Sequence, residues 1–144
     1  MHEIDRSLIE KLNIFFCGIG SISKVNNRLM VEYRVNTLND IVNIIIPHFD
    51  NYPLKTKKYI DYLLFKKIIF LMLKNEHKSI ESIKKIVNIK ASLNTGLSKN
   101  LKKAFPYAVP IDKDLLLISI EETNKNKILN PKWVAGFCTG ESNF

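Results

Sequence analysis

One carboxylate stands near the end of the chain on a run built to meet another helix: Asn130-Pro131-Lys132-Trp133-Val134-Ala135-Gly136-Phe137-Cys138-Thr139-Gly140-Glu141. Pro131 suits the first turn of a helix, with Asn130 as its N-cap. Trp133, Val134, Phe137 and Cys138 supply apolar faces, and Ala135, Gly136, Thr139 and Gly140 supply a face of small side chains. Small side chains let two helix backbones approach closely. A helix of this kind, ending on an acid, can set two carboxylates side by side. Paired carboxylates hold a divalent metal for phosphodiester cleavage.

A second constellation lies on an alternating run, Met30 to Asn36. Val31, Tyr33 and Val35 fall on one face of a strand, and Glu32, Arg34 and Asn36 on the other. A shorter run, Ser21 to Lys24, precedes it, and together they predict an antiparallel hairpin with one apolar and one polar face. Arginine, asparagine, serine and glutamate are the side chains that pair with base edges. An ordinary wet surface is the alternative for such a face.

The elements that would position these groups read as follows. Ile4, Leu8, Ile9, Leu12 and Phe15 or Phe16 recur at helical spacing, predicting an amphipathic helix over 4–16. Cys17-Gly18-Ile19-Gly20 ends it in a turn. A helix opens at Thr37 or Asn36, turns Ile41, Ile44 and Ile45 inward, and is disrupted by Pro47. After a break at Asn51-Tyr52-Pro53, a long helix is expected over Leu54–Lys74. Lysine-rich helices follow at about 79–92 and 98–104, then extended linker around Val109-Pro110 and Glu121 to Lys127. The class is α+β, and a two-stranded sheet is too small to stand alone.

Charge points the same way. The net charge is +8, and the stretch from Lys55 to Lys103 carries thirteen lysines against three acids, so the excess is concentrated there. Such asymmetry suits a polyanionic partner. No apolar stretch reaches the roughly 18 to 20 residues of a membrane span, and no basic helix has an aromatic apolar side, so a membrane partner is not expected. Cys17 and Cys138 form no CxxC pattern and read as two free thiols; three histidines without metal-ligand spacing give no zinc site. Ile, Asn and Lys make up 54 of 144 residues, all encoded mainly by A/T-rich codons, which suits an organellar gene or one from an A/T-rich bacterial genome.

Val134-Ala135-Gly136-Phe137-Cys138-Thr139-Gly140-Glu141-Ser142 resembles the nine-residue motif of the LAGLIDADG homing endonuclease family, with Glu141 at its final acidic position. Gly18-Ile19-Gly20, Val31-Glu32-Tyr33-Arg34-Val35, His48-Phe49-Asp50-Asn51-Tyr52-Pro53-Leu54 and Asp61-Tyr62-Leu63-Leu64-Phe65-Lys66 resemble the later part of one half of such a protein. Asn88 to Asn94, with Gly96-Leu97 and Lys102-Lys103-Ala104-Phe105-Pro106, resembles the linker between halves in single-chain, two-motif members encoded by fungal mitochondrial introns.

The resemblance implies an α+β fold of ααββ-type halves whose antiparallel sheets form a saddle on DNA. It implies residues 1–75 as a partial first half, 76–128 as a basic helical linker and 129–144 as the start of a second half. The function implied is site-specific cleavage of double-stranded DNA with magnesium. The alternatives are an RNA-binding intron maturase, whose partner would be intron RNA, and a nonfunctional degenerate fragment. A mitochondrial location follows from the same source. Glu141 is the expected metal ligand and catalytic acid. Lys57 and Lys58 match the part of the family that carries a basic residue near the cleaved phosphate. Ser21, Ser23, Glu32, Arg34 and Asn36 are expected to face DNA, with Lys24 and Arg28 near phosphates or bases. Ser142 replaces the motif's closing glycine, and Thr139 stands where the consensus has an acid. The first motif helix and its first two strands would precede Ile4, so this chain is expected to need a complementing half or extension and to be inactive alone.

Overall fold

The computed structural model describes residues 1–23, 29–55, 57–93, 96–114, 116 and 130–141, and for Glu76 and residues 139–141 the backbone alone. The chain forms two compact units, Met1–Ile111 and Asp112–Phe144.

In the first unit a single 3-10 turn, Glu3–Asp5, leads into α1 (Arg6–Phe15). Cys17, Gly18 and Gly20 all take positive φ and turn the chain into the hairpin. Strand β1 (Ser21–Ile22) pairs antiparallel with β2 (Tyr33–Arg34), Ser21 opposite Arg34 and Ile22 opposite Tyr33. The ladder is shorter than the alternation predicts, but the alternation holds: Val31 is fully buried, Tyr33 and Val35 half-buried, and Glu32, Arg34 and Asn36 exposed. Gly20 is required here twice over. Its φ is +75°, and a Cβ at this position would overlap the carbonyl oxygen of Arg34.

The chain's first residues do something the sequence did not announce. Val31 donates its N–H to the Met1 carbonyl at 2.9 Å, and Glu3 donates to the Leu29 carbonyl at 2.8 Å, around an antiparallel bridge between His2 and Met30. Alternate residues of an extended strand present their hydrogen-bonding groups to opposite edges. The run 29–34 therefore lies between β1 on one edge and residues 1–3 on the other.

Beyond β2, Thr37 caps α2 (Leu38–Asp40) by accepting from the Asp40 N–H. A π-helical segment, Ile41–Ile45, continues directly into α3 (Ile46–Asn51). Pro47 was expected to disrupt this helix, and it does not. Proline lacks the N–H that would reach back to residue 43, and its ring crowds that carbonyl. The wider π turn, with the Ile46 N–H bonded to the Ile41 carbonyl, lets the helix run through the proline. The long helix α4 (Lys58–Leu73) starts four residues later than expected, with Lys57 in the N-cap position after the break at Tyr52-Pro53. A 3-10 turn, Glu76–Lys78, leads to α5 (Ile80–Ser92), capped by Ser79, and α6 (Lys99–Ala104) is capped by Ser98.

The core of this unit joins α4 and α5 to α3 and the hairpin: Ile46, Ile60, Tyr62, Leu64, Ile69, Val87, Ile89 and Leu93, with Val31 and Ile9. Each such side chain contributes roughly 1.5–3 kcal/mol relative to exposure. An aromatic group carries the packing to α1. Phe16 stacks on Tyr33 at 6.3 Å, and His48 meets the rings of Phe15 and Phe16 edge-on at 5.5 and 5.1 Å. Much of the apolar stripe is nevertheless uncovered within this unit: Ile4, in the preceding turn, is 84% exposed and Phe15 63%, and Leu8 and Leu12 are also exposed. The expected helix is there, but among its stripe residues up to Leu12 only Ile9 is buried.

Residues 105–111 run back along α5. Asn88 Oδ1 accepts the Val109 N–H at 3.0 Å, and the Ser92 hydroxyl accepts the Ile111 N–H. The segment around Val109-Pro110 forms neither helix nor strand and is held by two side chains one helical turn apart; Glu121 to Lys127 lie outside the described residues. No helix among the described residues is long and apolar enough to cross a membrane. Cys17 and Cys138 are exposed thiols, in no disulfide among the described residues.

The second unit contains α7 (Pro131–Glu141). Asn130 caps it, its Oδ1 accepting the Lys132 N–H at 2.9 Å, and Trp133 and Phe137 stack one turn apart at 5.1 Å. A Cβ on Gly136 would meet nothing within 4 Å, and Ala135, Gly136 and Cys138 are exposed within this unit.

Candidate nucleic-acid interface

The exposed face of the hairpin assembles Ser21, Glu32, Arg34 and Asn36. Its rigidity comes from the opposite face. The Tyr33 phenol donates to the Ile19 carbonyl at 2.8 Å, and Asn13 Nδ2 donates to the same oxygen at 2.8 Å, pinning the glycine turn to α1 and β2 together. Burial pushes the Tyr33 phenol pKa up, so it stays a donor.

Ser23 is half-buried and turned toward the hairpin's own backbone. Its N–H donates to the Glu32 carbonyl at 2.8 Å, and its hydroxyl accepts the Glu32 N–H at 2.9 Å. Its present partners hold Glu32 in register. Arg34 Nε donates to Glu32 Oε2 at 2.8 Å, and Nη2 bonds the same oxygen. Lys24 and Arg28 lie outside the described residues.

Lys57 and Lys58 sit together at the start of α4, both exposed. Lys58 Nζ lies 3.6 Å from Asp61 Oδ2, one turn into the helix. The amino end of α4 is fixed against α3 by the HFDNYPL stretch. The Tyr62 hydroxyl lies 3.0 Å from the Ile46 carbonyl and 2.7 Å from Asp50 Oδ1, and Lys66 Nζ reaches both Asp50 oxygens at 2.7 and 2.6 Å. The hydrogen bonds from Lys66 and then Tyr62 hold the Asp50 carboxyl below its usual range. Burial first, and then Asp50, push the Tyr62 phenol well up. That buried phenol and its acid partner were not singled out by the sequence. The signal available was Tyr62 standing four residues before Lys66, with Asp50 near the end of the preceding helix.

Glu141 closes α7 in the other unit. The first unit offers a polar strand face suited to base edges and cations at a helix start and along α5 and α6; the second, by itself, carries an acid at the end of a small-residue helix.

A family model described as LAGLIDADG endonuclease matches residues 1–69. A probable intron-encoded endonuclease of Neurospora crassa is 44% identical over the whole of this chain, which spans 32% of that relative's length. Among solved structures, the I-SmaMI LAGLIDADG homing endonuclease bound to cleaved DNA is similar at a TM-score of 0.79 with 40% identity, over 97% of this chain and 44% of that one. I-SmaMI bound to an uncleaved DNA target in the presence of calcium ions is similar at a TM-score of 0.76 with 42% identity, over 92% and 42% of the two chains. The fold is that of LAGLIDADG homing endonucleases, and it is to members of this family that the chain is similar along its length.

Proposed function

We propose that this chain supplies the DNA-reading and linker portion of an intron-encoded, site-specific double-stranded DNA endonuclease. The observation that carries the reading is the hairpin's exposed face, where Glu32, Arg34 and Asn36 stand in one row opposite the inward row of Val31, Tyr33 and Val35. Such a row matches base edges in a major groove. The lysines of α4, α5 and α6 would supply phosphate affinity that falls with salt. Residues 1–75 are read as part of a first half, 76–128 as a basic linker and 129–144 as the opening of a second half. Lys57 and Lys58 are assigned to the neighbourhood of the cleaved phosphate, and Lys24 and Arg28 to the edge of the DNA.

The group implied for the chemistry is a magnesium ion. Glu141 offers the hard oxygen donor such an ion takes, and one carboxylate leaves most of an octahedral shell to water, phosphate oxygens and a second acid. The residue therefore fits as one ligand of a shared site. When bound, the ion would polarise the scissile phosphate and activate water. An RNA-splicing role is not favoured by relatives named as endonucleases. The gene is read as mitochondrial, on its Ile, Asn and Lys content and the intron-encoded relative.

The test is selection of randomised DNA duplexes by the purified chain with calcium present, followed by magnesium addition to the selected duplexes with and without a complementing half. Enrichment of one asymmetric sequence, cut only when both halves are present, is the expected result. A pool that stays random, or equal retention of a structured RNA, would overturn the reading.

A further inference from the structure

We propose that Glu32 is a positioning residue for Arg34, fixing which edge of the guanidinium meets a base, so that the two select guanine as a unit. The inference rests on the DNA-binding reading above. The hydrogen bonds of Arg34 Nε and Nη2 to Glu32 Oε2 occupy one side of the guanidinium. What remains outward is its end: Nη1 with the second hydrogen of Nη2. Two parallel donors at that end match the O6 and N7 acceptors of guanine in the major groove.

Three features make this an arrangement of the strand rather than a chance meeting of two long side chains. Residues 32 and 34 share the exposed face, with Tyr33 anchored behind them to Ile19. Ser23 holds the Glu32 backbone by both its N–H and its carbonyl. Gly20 lies against the Arg34 carbonyl, so the strand has no room to shift there. The side chains themselves are open, Arg34 61% and Glu32 49% exposed. An exposed pair of this kind adds little to stability. Orientation is what it supplies.

A carboxylate on a DNA-facing surface also repels phosphate. Removing it should raise general affinity while lowering selectivity, and this opposite movement separates positioning from damage. The experiment is duplex selection and competition binding by the purified chain, as wild type, Glu32→Ala, Glu32→Gln, Arg34→Ala and the double alanine variant, each checked by circular dichroism. The wild type should prefer guanine at one position. Glu32→Ala should bind random duplex more tightly and lose that preference by about tenfold. Glu32→Gln, which keeps a carbonyl acceptor of the same reach, should retain part of it. Arg34→Ala should lose it fully, and the double variant should lose no more. A Glu32→Ala protein that keeps the full preference, or that loses affinity and preference together, overturns the inference alone. Failure of the wild type to retain any duplex overturns the DNA-binding reading and this inference with it.

Discussion

The phenolic oxygen of Tyr62 lies 2.7 Å from Asp50 Oδ1, joining the amino end of α4 to the end of the π-containing helix before it. Tyr62 is buried and its oxygen also meets the Ile46 carbonyl, so the phenol links both helices through one atom. Replacing Tyr62 with Phe leaves the ring in place and strips that carbonyl and the acid of a donor. The expected cost is about 1–3 kcal/mol in chemical denaturation. Lys66→Ala should cost less, because the Lys66–Asp50 pair is partly solvated.

The same pair sets an acid limit on stability. The Asp50 carboxyl is held below its ordinary value of 3.8 by Lys66 and Tyr62, so the folded chain binds this proton less readily than the unfolded one. Its contribution is complete above the unfolded value and is lost as pH falls through the lower, folded one. Thermal midpoints measured below about pH 4 should therefore fall more steeply for the wild type than for Asp50→Asn. At the alkaline end Tyr62 acts in the opposite sense. Its raised pKa means stability is lost as pH climbs above the ordinary phenol value of 10.0, and Tyr62→Phe should flatten that loss.

Gly20→Ala should disturb the hairpin out of proportion to one methyl group. The residue has φ +75° and lies against the Arg34 carbonyl, a backbone neighbour that has no rotamer to give. A loss of roughly 1–3 kcal/mol is expected. Gly18→Ala, at a similar φ but with open space around it, should cost only the conformational part, about 1 kcal/mol.

On the proposed reaction, Glu141→Gln should abolish metal-dependent cleavage by the complemented protein while leaving duplex binding within about twofold, since it removes an ion ligand and no base contact. Binding and cleavage measured on the same selected duplex separate the two.

Lys57→Ala and Lys58→Ala should differ. Both lie at the start of α4, but Lys58 is drawn toward Asp61. Lys57→Ala is expected to lower single-turnover cleavage more, and loss of a phosphate contact should reduce the slope of log affinity against log salt by about 1.

The parts of this chain that sequence alone determined are those set by neighbours within one turn. Thr37, Ser79, Ser98 and Asn130 cap helices as their hydroxyl and amide chemistry requires. The glycine turn and the alternation of Val31 to Asn36 depend only on backbone sterics and the two-residue period of a strand. The family could be recognised because its motif is an ordered string of residue types. Tertiary structure decided the rest. Pro47 passes through a helix because a π turn forms before it, beside the buried Ile46. Residues 1–3 pair with 29–31 across nearly thirty positions, and Asn88 and Ser92 hold 109–111 across about twenty. Ser23 turned to the backbone of Glu32, while Arg34 took the carboxylate beside it. Which of two polar groups meets a partner and which meets its own chain is decided by the register in which the two strands of the hairpin pair. Propensity and periodicity, being sums over near neighbours, carry no term for that register or for the long-range pairings.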